Sequence, residues 1–241
     1  MNAILSQAKF EIRSTLRNGE QLLVNALIPL GALVLFAKVQ FLSDSVSHSF
    51  NALVPGVLAM ALMSSALVSL GISTGFDRYY GVLKRYRTTP LTPRRWMIAK
   101  LLSVLAVQIF QWIIIGAVAA GLGWHPASGW PQALLAWVLG TAAFGGIAMI
   151  FSSCLPAMVN LAVCNAVYLV LAATSGMLLA PDAFGSHIGR LVRWLPSGAL
   201  ADVLIGAIGT GTTVGGVGSW IALTVWAIVT PTIAVRLFRW Q

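Results

Sequence analysis

Six stretches of this chain are each long enough and apolar enough to cross a membrane, and that property excludes most folds. A hydrocarbon core about 30 Å thick needs about 20 residues of helix to span it. The stretches are Leu22–Leu42, Val54–Phe76, Trp96–Leu122, Pro131–Leu155, Pro156–Ala180 and Ser219–Arg236. Within lipid the backbone must satisfy its own polar groups, so such spans are helical. Charge content agrees. Only 9% of the residues are charged and 58% are hydrophobic, where an ordinary soluble domain carries about 25% charged residues. The expected architecture is an all-α membrane protein with six transmembrane helices in a single domain over residues 1–241.

The fourth and fifth spans join through Ser152–Ser153–Cys154–Leu155–Pro156 with almost no loop. Proline lacks the donor a helix interior needs, so a tight hairpin breaking at Pro156 is expected there. The segment 181–218 differs. Its apolar run Ala199–Ile208 is too short to span and is followed by the Gly/Thr-rich Gly209–Gly218. It reads as an outer re-entrant or interfacial element before the last span. Cys154 and Cys164 both sit in apolar runs and read as small buried hydrophobes rather than a disulfide framework. The N-terminus mixes Glu11 and Glu20 with its bases and has no early apolar core, so no secretory signal is expected.

The net charge of +9 would suit a nucleic-acid partner, but its placement gives another reading. Twelve of the fifteen Lys/Arg fall on one side of the six-span frame: Lys9, Arg13, Arg17, Arg78, Lys84, Arg85, Arg87, Arg94, Arg95, Lys100, Arg236 and Arg239. Lys38, Arg190 and Arg193 fall on the other. The positive-inside rule then places both termini in the cytoplasm, at the cytoplasmic cell membrane, and explains the charge without nucleic acid. Trp96 and Trp240 fall near the inner boundary, and Trp124, Trp130, Trp194 and Trp220 near the outer one.

Two basic elements face that inner side. In the first, residues 1–20, Ile4, Leu5, Ala8, Ile12 and Leu16 share one helical face while Lys9, Arg13 and Arg17 line the next. Such a helix lies in the interface and attracts anionic lipid. The second, 77–95, is far longer than a connection between two spans requires. Asp77 to Arg87 fits a short helix that interleaves Tyr79, Tyr80 and Tyr86 with charges, and Thr88–Thr89–Pro90 stops it. From the residues alone it is either a docking tip for a soluble partner or a solvated basic loop that only orients the chain.

Asp77, Gly81, Leu83, Arg85, Pro90 and Leu91, in that order before a return to the membrane, resemble the pattern of type 2 ABC exporter permeases of the daunorubicin-exporter kind. The span count and the amphipathic N-terminal helix fit that family over essentially the whole chain. On the outer side, Ala180–Pro181 and Leu195–Pro196–Ser197–Gly198 stand where the family has a Leu-Pro, an Asn-Pro and a short helix, but the Asn is missing. The resemblance implies a permease subunit that exports an amphiphilic substrate (a drug, lipid or lipid-linked glycan) and has no enzymatic site of its own. It also implies a separate ABC ATPase subunit that binds ATP and Mg, a second permease copy or paralogue, and a cytoplasmic coupling helix. Asp77, Arg78, Tyr79, Gly81, Leu83, Arg85, Arg87 and Pro90 would form that coupling element. Gly81 would allow close backbone approach, and the arginines would meet acidic groups. The chain contains no phosphate-binding Gly-x-x-x-x-Gly-Lys loop, since none of its four lysines follows a glycine.

Polar residues within spans, Asn25, Gln108, Gln111, Asn160, Asn165, Thr174 and Ser175, would line a substrate path or bond one helix to another. Gly71-x-x-x-Gly75, Gly116-x-x-x-Ala120 and Ala136-x-x-x-Gly140 offer small-residue faces for helix packing or a dimer contact. None of the six acids lies mid-span, which argues against an ion-coupled transporter. All three histidines lie outside the spans and no His-Glu-x-x-His occurs, which argues against an intramembrane protease. A membrane scaffold or sensor without chemistry of its own is the remaining alternative.

Overall fold

The computed structural model describes residues 2–17, 27–37, 50–86, 92–175, 191–210 and 216–238. The described residues are helical with short connections and contain no strand. We number the helices α1 (Asn2–Arg17), α2 (Leu27–Ala37), α3 (Phe50–Tyr79), α4 (Val82–Tyr86), α5 (Pro93–Gly121), α6 (Trp130–Cys154), α7 (Ala157–Thr174), α8 (Pro196–Leu204) and α9 (Val217–Leu237). Five of them, α3, α5, α6, α7 and α9, are long and apolar enough to cross a membrane. The protein is an all-α, multi-pass membrane protein. Of the expected first span, Leu22–Leu42, only α2 falls within the described residues.

Local chemistry sets the helix ends. Thr92 is extended, its side chain accepts the Arg95 N–H at 3.4 Å, and Pro93 opens α5. That is a threonine N-cap followed by a proline whose missing donor costs nothing in a first turn. Leu155 and Pro156 are both extended between α6 and α7, so the expected tight hairpin forms where the proline excludes αR geometry from the residue before it.

Helix α3 is the hub. Its most apolar window is 89% buried, whereas those of α7 and α9 are 28% buried and leave a broad apolar face for lipid or another chain. It begins at Phe50, earlier than expected, and holds Pro55 inside its second turn. Proline cannot donate to the Asn51 carbonyl. Gly209 packs against that carbonyl so closely that a Cβ there would come within 2.7 Å of the oxygen. Midway, Ser64–Ser69 forms a π-helical turn. Such turns free carbonyls from the regular ladder. Here the Leu62 carbonyl accepts from Ser65 Oγ at 3.0 Å and Gln108 Nε2 at 3.3 Å.

Small residues let the helices close in around this hub. Asn160 Nδ2 of α7 donates to the Gly71 carbonyl at 2.7 Å, and a Cβ on Gly75 would lie 2.5 Å from that nitrogen. Gly140 faces Leu200 and Leu62, while Gly146 meets the backbone at Thr230–Pro231. Two of the three small-residue faces, Gly71/Gly75 and Ala136/Gly140, are therefore consumed inside one chain. Of the three, Gly116/Ala120 points outward, with no described atom near Gly116. Cys164 is buried as expected, but Cys154 is exposed, because the break at Leu155 turns the end of α6 out of the bundle.

Helix α8 continues as a π-helical stretch, Ile205–Thr210. The carbonyls of Ile208 and Ala207 accept from Ala127 and Gly129, each at 3.1 Å, in the α5–α6 connection. Its other end lies deep. Trp226 Nε1 donates to the Trp194 carbonyl at 2.9 Å, and Trp226 is about 14 Å down α9 from its first residue at 1.5 Å per residue. The segment thus runs from mid-bundle to the end opposite α4.

Candidate functional site

The end that carries Asp77 to Tyr86 also gathers the basic residues of α1, α4, α5 and α9. The chain does not fold here as one helix from Asp77 to Arg87. Helix α3 ends at Tyr79, Gly81 turns the backbone at φ +71°, and α4 starts at Val82. A positive φ costs an L-residue but not glycine. No described atom lies near enough to meet a Cβ at Gly81, so within the chain the glycine serves this reversal.

The turn divides the expected coupling residues into two groups. Tyr79, Tyr80, Lys84 and Arg85 are exposed at the tip. The rings of Phe76, Tyr79 and Tyr80 brace one another, with Phe76 stacked on Tyr80 at 6.0 Å and Tyr79 edge-on to Tyr80 at 5.2 Å. Asp77, Arg78 and Leu83 face inward. Leu83 is buried and anchors α4 in the core. Arg78 Nη1 donates to the Ser152 and Ser153 carbonyls at 3.1 and 2.6 Å, placing a guanidinium on the negative end of α6. Arg87 and Pro90 lie outside the described residues.

Asp77 belongs to a buried ion cluster. Lys100 Nζ of α5, only 5% exposed as a residue, donates to Glu11 Oε2 of α1 at 2.8 Å and to Asp77 Oδ2 of α3 at 2.9 Å. It also lies 5.5 Å from the centroid of the Trp96 ring, which it meets as a cation meets a π face. Trp96 is fully buried against Phe238, at 5.1 Å, and Tyr86, at 6.5 Å. Gln7 closes the network: its Nε2 donates to Glu11 Oε1 at 2.9 Å and to the Tyr86 hydroxyl at 3.0 Å. One set of polar contacts thus ties α1, α3, α4 and α5 behind the exposed tip.

Reading the sequence for charge sides alone missed Lys100, Glu11 and Gln7 as members of this site. A signal was present. Gln7 and Glu11 share a helical face at i,i+4, and Lys100 sits one turn past Trp96 inside an otherwise uncharged run. Helix α1 packs through Gln7, Ala8 and Glu11, while Leu5, assigned to its apolar face, is exposed along with Phe10.

The span amides occupy a different layer. Gln108 is fully buried and makes four bonds. Its Nε2 donates to the Leu62 carbonyl and to Ser65 Oγ, and its Oε1 accepts from Trp137 Nε1 at 2.6 Å and Thr141 Oγ1 at 2.8 Å. Asn160 is fully buried on Gly71. Gln111 is buried in α5, and the Ser175 hydroxyl donates back to the Ala172 carbonyl. Asn165, on the outer face of α7, and Thr174, half-buried near its end, bond back to their own helix at Leu161 and Val170. Asn25 lies outside the described residues.

Among the described residues no cluster of His, Cys, Asp or Glu has the makings of a metal site. No curated protein matches the sequence. The family model for the ABC-2 type transporter membrane domain matches residues 3–207, a stretch that includes the ion cluster, the tip and the hub helix. The chain therefore belongs to the ABC-2 type transporter family.

Proposed function

We propose that this chain is the membrane-spanning subunit of an ATP-driven exporter that moves an amphiphilic substrate outward across the cytoplasmic membrane. A separate ABC ATPase subunit binds ATP and Mg and docks on the tip at Tyr79, Tyr80 and Arg85. The basic end is cytoplasmic, in keeping with the positive-inside rule. Helix α1 lies along that face, and α8 is a re-entrant element of the outer face. A second permease copy completes the path, for which Asn165 and Thr174 are polar span residues bonded within α7. Gln108 and Asn160 hold the bundle together.

The observation that carries this reading is the network behind the tip. A partner that shifts α4 pulls on Leu83 and Tyr86, and through Gln7, Glu11, Lys100 and Asp77 on three further helices. A partner whose grip differs between its ATP-bound and empty states would by that difference bias the spans between two arrangements.

The test is reconstitution of the chain with its cognate ATPase. Tyr80→Ala and Arg85→Glu alter exposed side chains at the tip, so the chain should still elute as a folded, monodisperse species while ATPase binding and ATP-dependent substrate movement fall at least tenfold. Wild-type binding and transport in both variants would refute docking at the tip.

A further inference from the structure

Beside the tip, between the last turn of α3, α4 and the α6–α7 turn, runs a groove of about 440 Å³. We propose that it binds the phosphate headgroup of an anionic membrane phospholipid, with Lys84 as the principal cation and α7 as the rest for an acyl chain. Its lining includes Phe76, Arg78, Tyr79, Lys84, Cys154 and Met158, two cations with no acid among the lining residues. The Arg78 charge is fixed in place by the Ser152 and Ser153 carbonyls. Lys84 is exposed and makes no ion pair with any described residue, so its ammonium is placed to follow a ligand.

The apolar side of the groove distinguishes a lipid from an acidic protein surface. Met158 is 73% exposed, and the outward face of α7 continues from it through Val159, Leu161, Leu169 and Val170. A headgroup held at Lys84 therefore has a largely apolar strip below it, interrupted at Asn165 about halfway along the span. An acidic protein loop would engage the cations but leave that strip unused. Basic residues at the membrane boundary draw anionic lipid with about 1 kcal/mol each, which corresponds to about a fivefold change in occupancy for one lysine.

Cys154 supplies the assay, because it lines the groove and is exposed while Cys164 is buried. The full chain is placed in nanodiscs of phosphatidylcholine alone, or with phosphatidylglycerol added, and Cys154 is labelled with an uncharged maleimide. Phosphatidylglycerol should slow labelling severalfold. An anionic surface also lowers the thiolate fraction, so Lys84→Ala and Lys84→Arg are compared in the same discs, where that effect is shared. Lys84→Ala should lose most of the protection and Lys84→Arg should keep it. Native mass spectrometry should find phosphatidylglycerol retained by the wild type and about fivefold less by Lys84→Ala.

Equal labelling rates in the two discs would overturn the proposal, as would undiminished protection in Lys84→Ala. Protection by inorganic phosphate in phosphatidylcholine discs equal to that by the lipid would assign the groove to a free anion. Protection only on addition of the ATPase would assign it to protein. The discs hold no ATPase, so the outcome is independent of whether the chain exports anything.

Discussion

Replacing Lys100 with methionine removes one charge of a buried trio and keeps most of the side-chain length. At 2.8 and 2.9 Å, each attraction has a gross Coulomb energy of about 6 kcal/mol at an effective dielectric of 20. Desolvation of the lysine offsets most of that sum. What remains on breaking such a cluster is about 3–5 kcal/mol, because the partners stay behind uncompensated. The Glu11 side chain is 12% exposed and that of Asp77 29%, so Glu11 bears more of the loss. Thermal unfolding in detergent reads it. For a chain of this size each kcal/mol shifts the midpoint by about 2–4 °C, so Lys100→Met should fall by roughly 10 °C. Adding Glu11→Gln and Asp77→Asn to Lys100→Met should restore much of the difference, since a neutral trio leaves no orphaned charge. A Lys100→Met midpoint within about 2 °C of wild type would refute the reasoning. So would strict additivity of Glu11→Gln with Lys100→Met in a double-mutant cycle.

Gly81→Ala should cost about 1–2 kcal/mol from its positive φ, since no described atom crowds the site, and Gly81→Asn should cost less; thermal midpoints rank the two. Gln108→Leu breaks four bonds worth about 0.6 kcal/mol each within a membrane, roughly 2 kcal/mol in all, whereas Asn165→Leu on the outer face of α7 should leave stability unchanged in the same assay. Gly146→Ala drives a methyl into the backbone of α9 at Thr230–Pro231 and should abolish a monodisperse peak in size-exclusion chromatography. Gly116→Ala, which meets no described atom, should elute as wild type does.

The apolar runs determine that the chain is a bundle of membrane helices, because runs of about 20 apolar residues match a helical crossing, whose hydrogen bonds all close within the segment. The turn at Pro156 was equally legible, since proline acts on its immediate neighbours. The partner of each residue was not. Asp77 reads as one more charge of a basic loop, and only the packing of α1 and α5 against α3 turns it inward onto Lys100. Gly71 and Gly75 read as well for a dimer as for an internal contact until Asn160 is seen to occupy them. Helix periodicity says which residues share a face but not what that face meets. Contacts between Glu11 and Lys100, or between Trp226 and the Trp194 carbonyl, join residues far apart in sequence. Local rules act over a turn or two of helix, so such pairings are settled only when the whole bundle closes.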